Sequence, residues 1–458
     1  MTRVETARVE TTRAETGRVQ AARVETGRRT ARIEARGSAQ AASLRRMSAK
    51  LSRATPGRIL LLLCIAEPLG MCPWFTASAV APQLAARWSL DAGGTAALTS
   101  MVQLGFVAGT AMIAMLNLAD LLAARALFAS CALLAAIANA SLLVAPGFGA
   151  ALAARFVLGA CLAGVYPPAM KMVATWFRER RGLAIGTLVG ALAIGKATPY
   201  MVRAMGGVRL EPVVVVTSVS ALLASLLVAV FYREGPFPFP KRAFHWGLAG
   251  EVMRHRATRI AVGGYLGHMW ELYAMWTWLP AFLAASLAAS SPGGFTAADH
   301  AGGVAGWLAF GALAVGGVGC VWGGWAAGRV GYARVVTISM AASAACAVLI
   351  GFFFGAPPWI VAVIAWIWCF FIVADSAQFS AMVTEVAPPH AVGTALTLQT
   401  SLGFLLTMVT IQLVPVLAQN VGWRWAFPIL ALGPIVGIAV IARWADARPS
   451  ENPVAGPP

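Results

Sequence analysis

The stretch GHMWELYAMWTW, residues 267–278, lies in the middle of an apolar run that extends from Ile260 to Ala284. About 20 consecutive apolar residues are enough for a helix to cross the hydrocarbon core of a bilayer. The run has that length, yet it contains an imidazole and a carboxylic acid, His268 and Glu271. The stretch predicts a membrane-spanning helix and raises the question of what two ionisable groups do inside it.

The composition of the whole chain supports this interpretation. Of 458 residues, 59% are hydrophobic and only 12% are charged, whereas about a quarter of the residues in soluble domains are charged. Twelve apolar runs are long enough to cross a membrane. They are 58–82, 96–117, 121–144, 149–173, 182–204, 212–233, 260–284, 303–326, 333–354, 359–383, 392–416 and 423–444. The sequence therefore predicts an all-α membrane protein with twelve transmembrane helices.

The net charge of +17 is distributed unevenly. Much of it lies in the N-terminal tail, and most of the rest lies in alternate loops, while the loops 145–148 and 355–358 carry no charge. Excess Lys and Arg on one side is the signature of cytoplasmic loops. We expect a multi-pass protein of the cytoplasmic (inner) membrane with both termini in the cytoplasm. The basic rim is suited to anionic membrane lipid, and we expect no nucleic-acid partner.

A basic tail, 1–57, precedes the first run. Its first part has an arginine at every fifth position and few apolar residues, so it is predicted to be disordered or a solvated helix. Met47 offers an alternative start. A second tail is predicted at 445–458.

The longest internal connection, 234–259, divides the remaining chain into halves of six runs each, 58–233 and 260–444. The fifth and eleventh runs both open with Gly, Ala, Ser and Thr, which allow helices to approach closely. Two pseudo-symmetric six-helix halves are typical of transporters whose halves rock about a central site.

This organisation resembles the major facilitator superfamily, whose members carry Gly-x-x-x-Asp-Arg-x-Gly-Arg-Arg between spans two and three. The sequence LNLADLLAARAL retains Asp120 and Arg125 of that motif. The second-half copy, GWAAGRVGYAR, retains Gly324, Arg329 and Gly331. The resemblance implies that these residues form a cytoplasmic gate that latches the halves together in one state.

Run four carries Arg155 and Gly159 in RFVLG, similar to the family's Arg-x-x-x-Gly motif, which is associated with proton-coupled members. The resemblance therefore implies a secondary active transporter that moves a small organic solute by alternating access and is coupled to protons. The alternatives are an organic-anion uniporter or exchanger, and a sensor or structural protein of the same fold that transports nothing. We expect a monomer.

Three groups are candidates for proton coupling. Glu271 is the twelfth of 25 residues in its run, and His268, three residues earlier, shares its helix face and is expected to hydrogen-bond it. Ionised acid is costly at this depth, so a neutral, proton-exchanging form is accessible. Glu67 lies in the first run beside Pro68, Gly70 and Pro73, which predict a kink or break. Glu67 and Glu271 are expected to face each other. The alternative for each is a structural hydrogen bond.

Other polar and aromatic residues are candidates for lining a substrate cavity. Lys196 is expected to pair with an acid or to bind an anionic solute. Asp375 and Gln378 belong to a hydrogen-bonding cluster in run ten. Trp74, Trp276 and Trp278 are expected to line the cavity or to face lipid. Arg155 either snorkels to the surface or anchors a helix.

Several classes of function are disfavoured. The sequence contains neither HExxH nor GxSxG, and no loop beyond the tail is long enough for a catalytic domain. It contains no GxxxxGK[ST] phosphate-binding loop, which disfavours a nucleotide-driven pump. None of the seven cysteines has metal-ligand spacing with a histidine. We therefore expect no enzyme, no cofactor and no metal.

Overall fold

The computed structural model of the protein describes residues 55–116, 118–177, 181–206, 209–237, 246–290, 297–388 and 391–444. The predicted tails, 1–57 and 445–458, lie outside these residues except for 55–57. From Ile59 onwards the chain belongs to one compact unit.

Twelve helical segments in the described residues are long and apolar enough to cross a membrane, and they are numbered spans 1 to 12 in chain order. Each overlaps one of the twelve predicted runs, so the predicted fold class is confirmed. Their bounds are Pro56–Ala79, Ala92–Met115, Ala124–Leu143, Phe148–Ala174, Gly182–Met205, Leu210–Phe231, Arg256–Ser290, Gly303–Val330, Tyr332–Phe352, Pro358–Val386, Val392–Val421 and Trp423–Ile441.

The connections between spans are mostly short, so odd-numbered and even-numbered spans run in opposite directions. The end of the bundle where span 6 finishes and span 7 begins is called the linker end. Short helices cover Ala81–Trp88 after span 1 and Leu118–Leu121 after span 2. A third, Trp246–Arg254, lies within the predicted linker and leads into span 7, which begins at Arg256.

Span 1 is broken in its second half, away from the linker end, as its prolines predict. An α-helix over Pro56–Met71 gives way to a 3-10 turn, Cys72–Phe75, and a last helical turn, Thr76–Ala79. Pro73 is at the start of the 3-10 turn, where its missing N–H is tolerated. Span 10 is also interrupted, because Asp375 separates helix Pro358–Ala374 from helix Ser376–Val386. Span 7, in contrast, is one continuous helix of 35 residues.

Span 6 shows how these helices meet their surroundings. Its exposed residues are large and apolar and recur on one face, for example Val215, Val219 and Leu226. Its small polar residues, such as Thr217 and Ser218, are buried. Apolar side chains outside and small or polar ones inside are the pattern of a helix that faces lipid and packs on other helices.

Glycines bring particular spans into close contact. A Cβ atom added to Gly159 of span 4 would lie 2.1 Å from the Val102 carbonyl oxygen of span 2. A Cβ on Gly190 of span 5 would lie 2.7 Å from the Gly317 carbonyl oxygen of span 8. The first contact is within the N-terminal half, and the second joins the two halves. Gly159 of the run-four motif is therefore a packing residue.

Candidate functional site

A buried lysine lies where the two halves meet. The Lys196 side chain of span 5 is only 2% exposed, and its ammonium nitrogen is 4.0 Å from the Trp74 ring centroid, 4.6 Å from the Tyr273 ring and 5.5 Å from the Trp276 ring. It also donates a hydrogen bond of 2.5 Å to the Tyr273 hydroxyl. Aromatic faces attract cations, most strongly where water is excluded. We call Trp74, Lys196, Tyr273 and Trp276 the lysine cage.

The cage is assembled from both halves. Trp74 and Lys196 belong to spans 1 and 5, whereas Tyr273 and Trp276 belong to span 7. Further rings surround it, with Trp74 at 5.2 Å from Phe106 and 5.6 Å from Phe404 between ring centroids. No cage side chain is more than 4% exposed. The cage is therefore occluded in this conformation.

Glu67 lies beside the lysine cage, and its hydrogen-bonding capacity is unused in the described part of the chain. Its side chain is fully buried, and neither carboxylate oxygen has a hydrogen-bond partner among the residues that the structure describes. It is close enough to Lys196 for the two to interact electrostatically. The reason for their proximity is Gly195, where a Cβ atom would lie 2.3 Å from the Pro68 carbonyl oxygen. A larger residue at position 195 would clash with this carbonyl. Gly195 therefore allows spans 1 and 5 to approach closely beside Lys196 and Glu67.

Arg155 holds the broken part of span 1. Its guanidinium is 1% exposed, so it anchors a helix and does not snorkel. It donates to the carbonyl oxygens of Pro73 at 3.2 Å and Trp74 at 2.5 Å, both in the 3-10 turn of span 1. It also donates to the Leu98 carbonyl and to Asn139 Oδ1. These contacts fix the backbone of Trp74, a cage residue.

Glu271 has a different environment from Glu67. It is equally buried, but each carboxylate oxygen accepts a hydrogen bond, one from Trp368 Nε1 at 2.6 Å and one from Ser343 Oγ at 2.9 Å. Both donors belong to spans 9 and 10 of the same half. The structure does not bring Glu67 and Glu271 together, because Glu271 is turned into its own half.

The expectation that His268 hydrogen-bonds Glu271 is wrong. His268 Nδ1 lies 2.9 Å from Asp375 Oδ1, an ion-pair distance without good hydrogen-bond geometry, and Nε2 lies 3.2 Å from Ser376 Oγ. Spans 7 and 10 run in opposite directions, so a residue further along span 7 meets a residue earlier in span 10. Glu271 meets Trp368, and His268 meets the interruption at Asp375.

Two other candidates for lining the cavity lie outside the lysine cage. Trp278 is buried and donates a hydrogen bond of 2.8 Å to the Ile411 carbonyl of span 11, so it neither faces lipid nor contributes to the cage. Gln378 is buried and donates to the Ala374 carbonyl at 3.4 Å, across the interruption of span 10.

The gate-motif residues lie at the linker end. The Asp120 side chain is outside the described part of the chain, and Arg125 begins span 3 half-buried. Gly324 packs near Gly182 of span 5, and Gly331 has a φ of +86°, which favours glycine at the turn into span 9. Arg329 is exposed and stacks on Trp325 of its own helix at 3.7 Å.

Several polar residues in and around these sites were not predicted from the sequence. Tyr273 is the clearest case, although it stands two residues after Glu271 in the same stretch. Gln103 and Gln399, on spans 2 and 11, are buried amides without a hydrogen-bond partner in the described structure. A polar residue within an apolar run was the available signal for both glutamines.

Known proteins were compared with this chain. No protein-family profile and no curated protein matches the sequence. The structure of the nucleoside transporter NupG matches with a TM-score of 0.62 over 84% of this chain and 98% of that one, at 15% identity. A point mutant of NupG gives 0.64 over 84% and 99%, at 14% identity.

A second similar structure is a bacterial homologue of the human lysosomal transporter Spinster in an inward-facing, unoccupied conformation. It matches with a TM-score of 0.59 over 86% of this chain and 95% of that one, at 15% identity. These likenesses show the fold. The chain shares the twelve-helix fold of these transporters.

Proposed function

We propose that the protein is a secondary active transporter that carries a small organic solute across the cytoplasmic membrane by alternating access, coupled to protons. The observation that carries the proposal is the buried Lys196, held by aromatic rings from both halves beside the unsatisfied Glu67. Ionisable groups are costly inside a membrane and are rarely found there without a transport or structural role.

The location of the cage fits alternating access. Rocking of one half against the other leaves Lys196, Trp74 and Glu67 with the N-terminal half and removes Tyr273 and Trp276 with the other. The hydrogen bond between Lys196 and Tyr273 is then broken, so Lys196 needs a new acceptor. A solute entering the opened site supplies one. The conformation described above is the closed state between the two openings.

Glu67 is the better candidate for proton exchange. Within the described ranges its two oxygens form no hydrogen bond, so gaining a proton breaks none there. Glu271 accepts two hydrogen bonds that tie spans 7, 9 and 10 together, and a change in its charge would disturb both. We therefore assign Glu67 to coupling, and we assign Glu271 with the His268–Asp375 pair to the internal structure of the C-terminal half.

Orientation and assembly complete the proposal. Both termini and the linker end are cytoplasmic, because the basic loops lie on that side. The functional partners are the solute, protons and membrane lipid, and the protein acts as a monomer. A sensor of the same fold that transports nothing is the competing function.

Transport is tested with the full-length protein in proteoliposomes. Radiolabelled nucleosides, chosen because NupG is a nucleoside transporter, and small organic acids are screened with an inward proton gradient. We expect at least one solute to accumulate against its gradient, and a protonophore to abolish that accumulation. Absence of flux for every solute, with correctly folded protein, would favour the sensor.

The coupling residue is tested with a matched pair of variants. Glu67→Gln should lose proton-driven accumulation and keep solute exchange, which needs no net proton movement. Glu271→Gln, at the corresponding place in the other half, should still accumulate solute. Normal accumulation by Glu67→Gln would overturn its assignment, and loss confined to Glu271→Gln would move the coupling role there.

A further inference from the structure

We infer that the solute is an organic anion with a planar, apolar or aromatic body, and that it binds together with one proton. The inference rests on the proposed function, and it concerns which solute the lysine cage accepts. It depends on the hydrogen-bonding character, the charge balance and the rings of the cage.

The polar groups of the cage are mainly donors. The Lys196 ammonium has three N–H groups, and the structure gives it one hydrogen bond, to the Tyr273 hydroxyl. The Trp74 indole N–H is fully buried and has no hydrogen-bond partner in the described part of the chain. An indole N–H is a donor only, and an ammonium has no acceptor. Unsatisfied buried donors favour a ligand that brings acceptor oxygens, as a carboxylate does.

The charge balance accounts for the proton. With Glu67 ionised, its charge and that of Lys196 cancel, and the empty cage is neutral. An anion that enters alone leaves one uncompensated negative charge in a site closed from water, which is costly. If Glu67 gains a proton as the anion arrives, the anion pairs with Lys196 and the cage is neutral again. Only the empty state and the state loaded with both anion and proton are favourable.

The other charged and titratable groups near this pair do not change that balance. Tyr166 of span 4 and Cys64 of span 1 are in electrostatic range of Glu67, and a phenol and a thiol are ordinarily neutral near pH 7. Arg155 is the other buried cation near Trp74, and its donors are occupied by three carbonyl oxygens and an amide oxygen. Its charge is the same with and without solute.

The rings determine the body of the solute. In the closed state Phe106 and Phe404, from opposite halves, lie 4.5 Å apart between ring centroids, and Trp74 lies 5.6 Å from Tyr273. Opening separates these rings, and a planar group can replace the lost contacts. A cationic solute is disfavoured because the Lys196 ammonium already occupies the aromatic faces.

Equilibrium binding to the full-length protein in detergent tests this inference without requiring transport. Intrinsic tryptophan fluorescence and calorimetry are measured with benzoate, benzylamine, benzyl alcohol, uridine and acetate. We expect benzoate to bind at least about tenfold more tightly than each of the others. Tighter binding of uridine or benzylamine, or no binding of benzoate, would overturn the inference.

Variants of Lys196 and Glu67 test anion binding and proton uptake separately. Lys196→Met should weaken benzoate binding by at least about tenfold, whereas Lys196→Arg should retain more of the affinity. Wild-type protein should take up about one proton per benzoate bound, measured in weakly buffered solution. Glu67→Gln should bind benzoate without proton uptake. Unchanged affinity in Lys196→Met, or unchanged proton uptake in Glu67→Gln, would contradict it.

Failure of this inference differs from failure of the proposed function. Benzoate binding that depends on Lys196, without flux in proteoliposomes, would reject transport and leave the anion site standing. Flux of a neutral solute that is insensitive to Lys196→Met would reject the anion site and leave transport standing.

Discussion

Spans 1 and 7 have corresponding places in the two halves, and each carries a buried glutamate, but the two helices differ in construction. Span 1 is broken by a 3-10 turn, and its Glu67 has no hydrogen-bond partner in the part of the chain that the structure describes. Span 7 is continuous, and its Glu271 accepts two hydrogen bonds. Pseudo-symmetry in the sequence therefore does not give the two acids equal roles.

The difference has a physical cause. The partners of Glu271 belong to spans 9 and 10, so the acid and its donors move together as one half. Glu67 lies near Lys196, whose own hydrogen bond crosses from one half to the other. An acid near a contact that breaks when the halves move experiences a change of environment. An acid bonded within one half does not.

The largest effect should come from the residue that supports the break in span 1. Arg155→Met leaves carbonyl oxygens of Pro73, Trp74 and Leu98 buried without this donor. Because the variant loses four buried hydrogen bonds from a charged donor, the free energy of unfolding should fall by about 3 kcal/mol or more. Denaturation with SDS, followed by circular dichroism, measures it.

Arg87→Met is the control for this change, because Arg87 is exposed and donates to one carbonyl oxygen. Its effect should be within about 0.5 kcal/mol. Equal stability of the two variants would mean that the broken span needs no support from Arg155.

The next effect compares the two acids through two fully buried tryptophans. Trp368→Phe removes the hydrogen bond of 2.6 Å to Glu271, whereas the Trp74 indole N–H has no hydrogen-bond partner among the described residues. The unfolding free energy should therefore fall by about 1 kcal/mol or more further in Trp368→Phe than in Trp74→Phe. A larger fall in Trp74→Phe would show that Glu271 is not held as described.

A smaller effect tests the corrected partner of His268. Double-mutant cycles on unfolding free energy should give a coupling of about 0.5–3 kcal/mol between His268→Gln and Asp375→Asn, which remove groups in contact. The coupling between His268→Gln and Glu271→Gln should be smaller, since these side chains share no hydrogen bond. The reverse order would restore the expectation from helix spacing.

The last effect concerns Trp278, which contributes to the packing of span 7. Trp278→Phe loses one hydrogen bond to the Ile411 carbonyl, and unfolding free energy should fall by about 1 kcal/mol. Solute accumulation should be unchanged, because Trp278 lies outside the lysine cage. Trp276→Phe, a cage change two residues away, should reduce accumulation. Equal transport by both variants would count against the cage.

The twelve spans and the break in span 1 could be predicted from the amino-acid sequence. The length of an apolar run decides whether a helix can cross a bilayer, and prolines remove backbone hydrogen bonds locally. Both features can therefore be predicted from a single segment of the sequence. The sequence also identified the buried ionisable residues Glu67, Lys196, Glu271 and Asp375, since polar residues are conspicuous in apolar runs.

Which of these groups contact each other depends on how the helices pack in three dimensions. Helix periodicity places His268 and Glu271 on one face, but it does not reveal that one meets Asp375 and the other Trp368. Lys196 reaches Tyr273 because Gly195 and its neighbours set how closely spans pack. Contacts between helices depend on their relative height and rotation, which are set by packing of the whole bundle and are not encoded in any single segment.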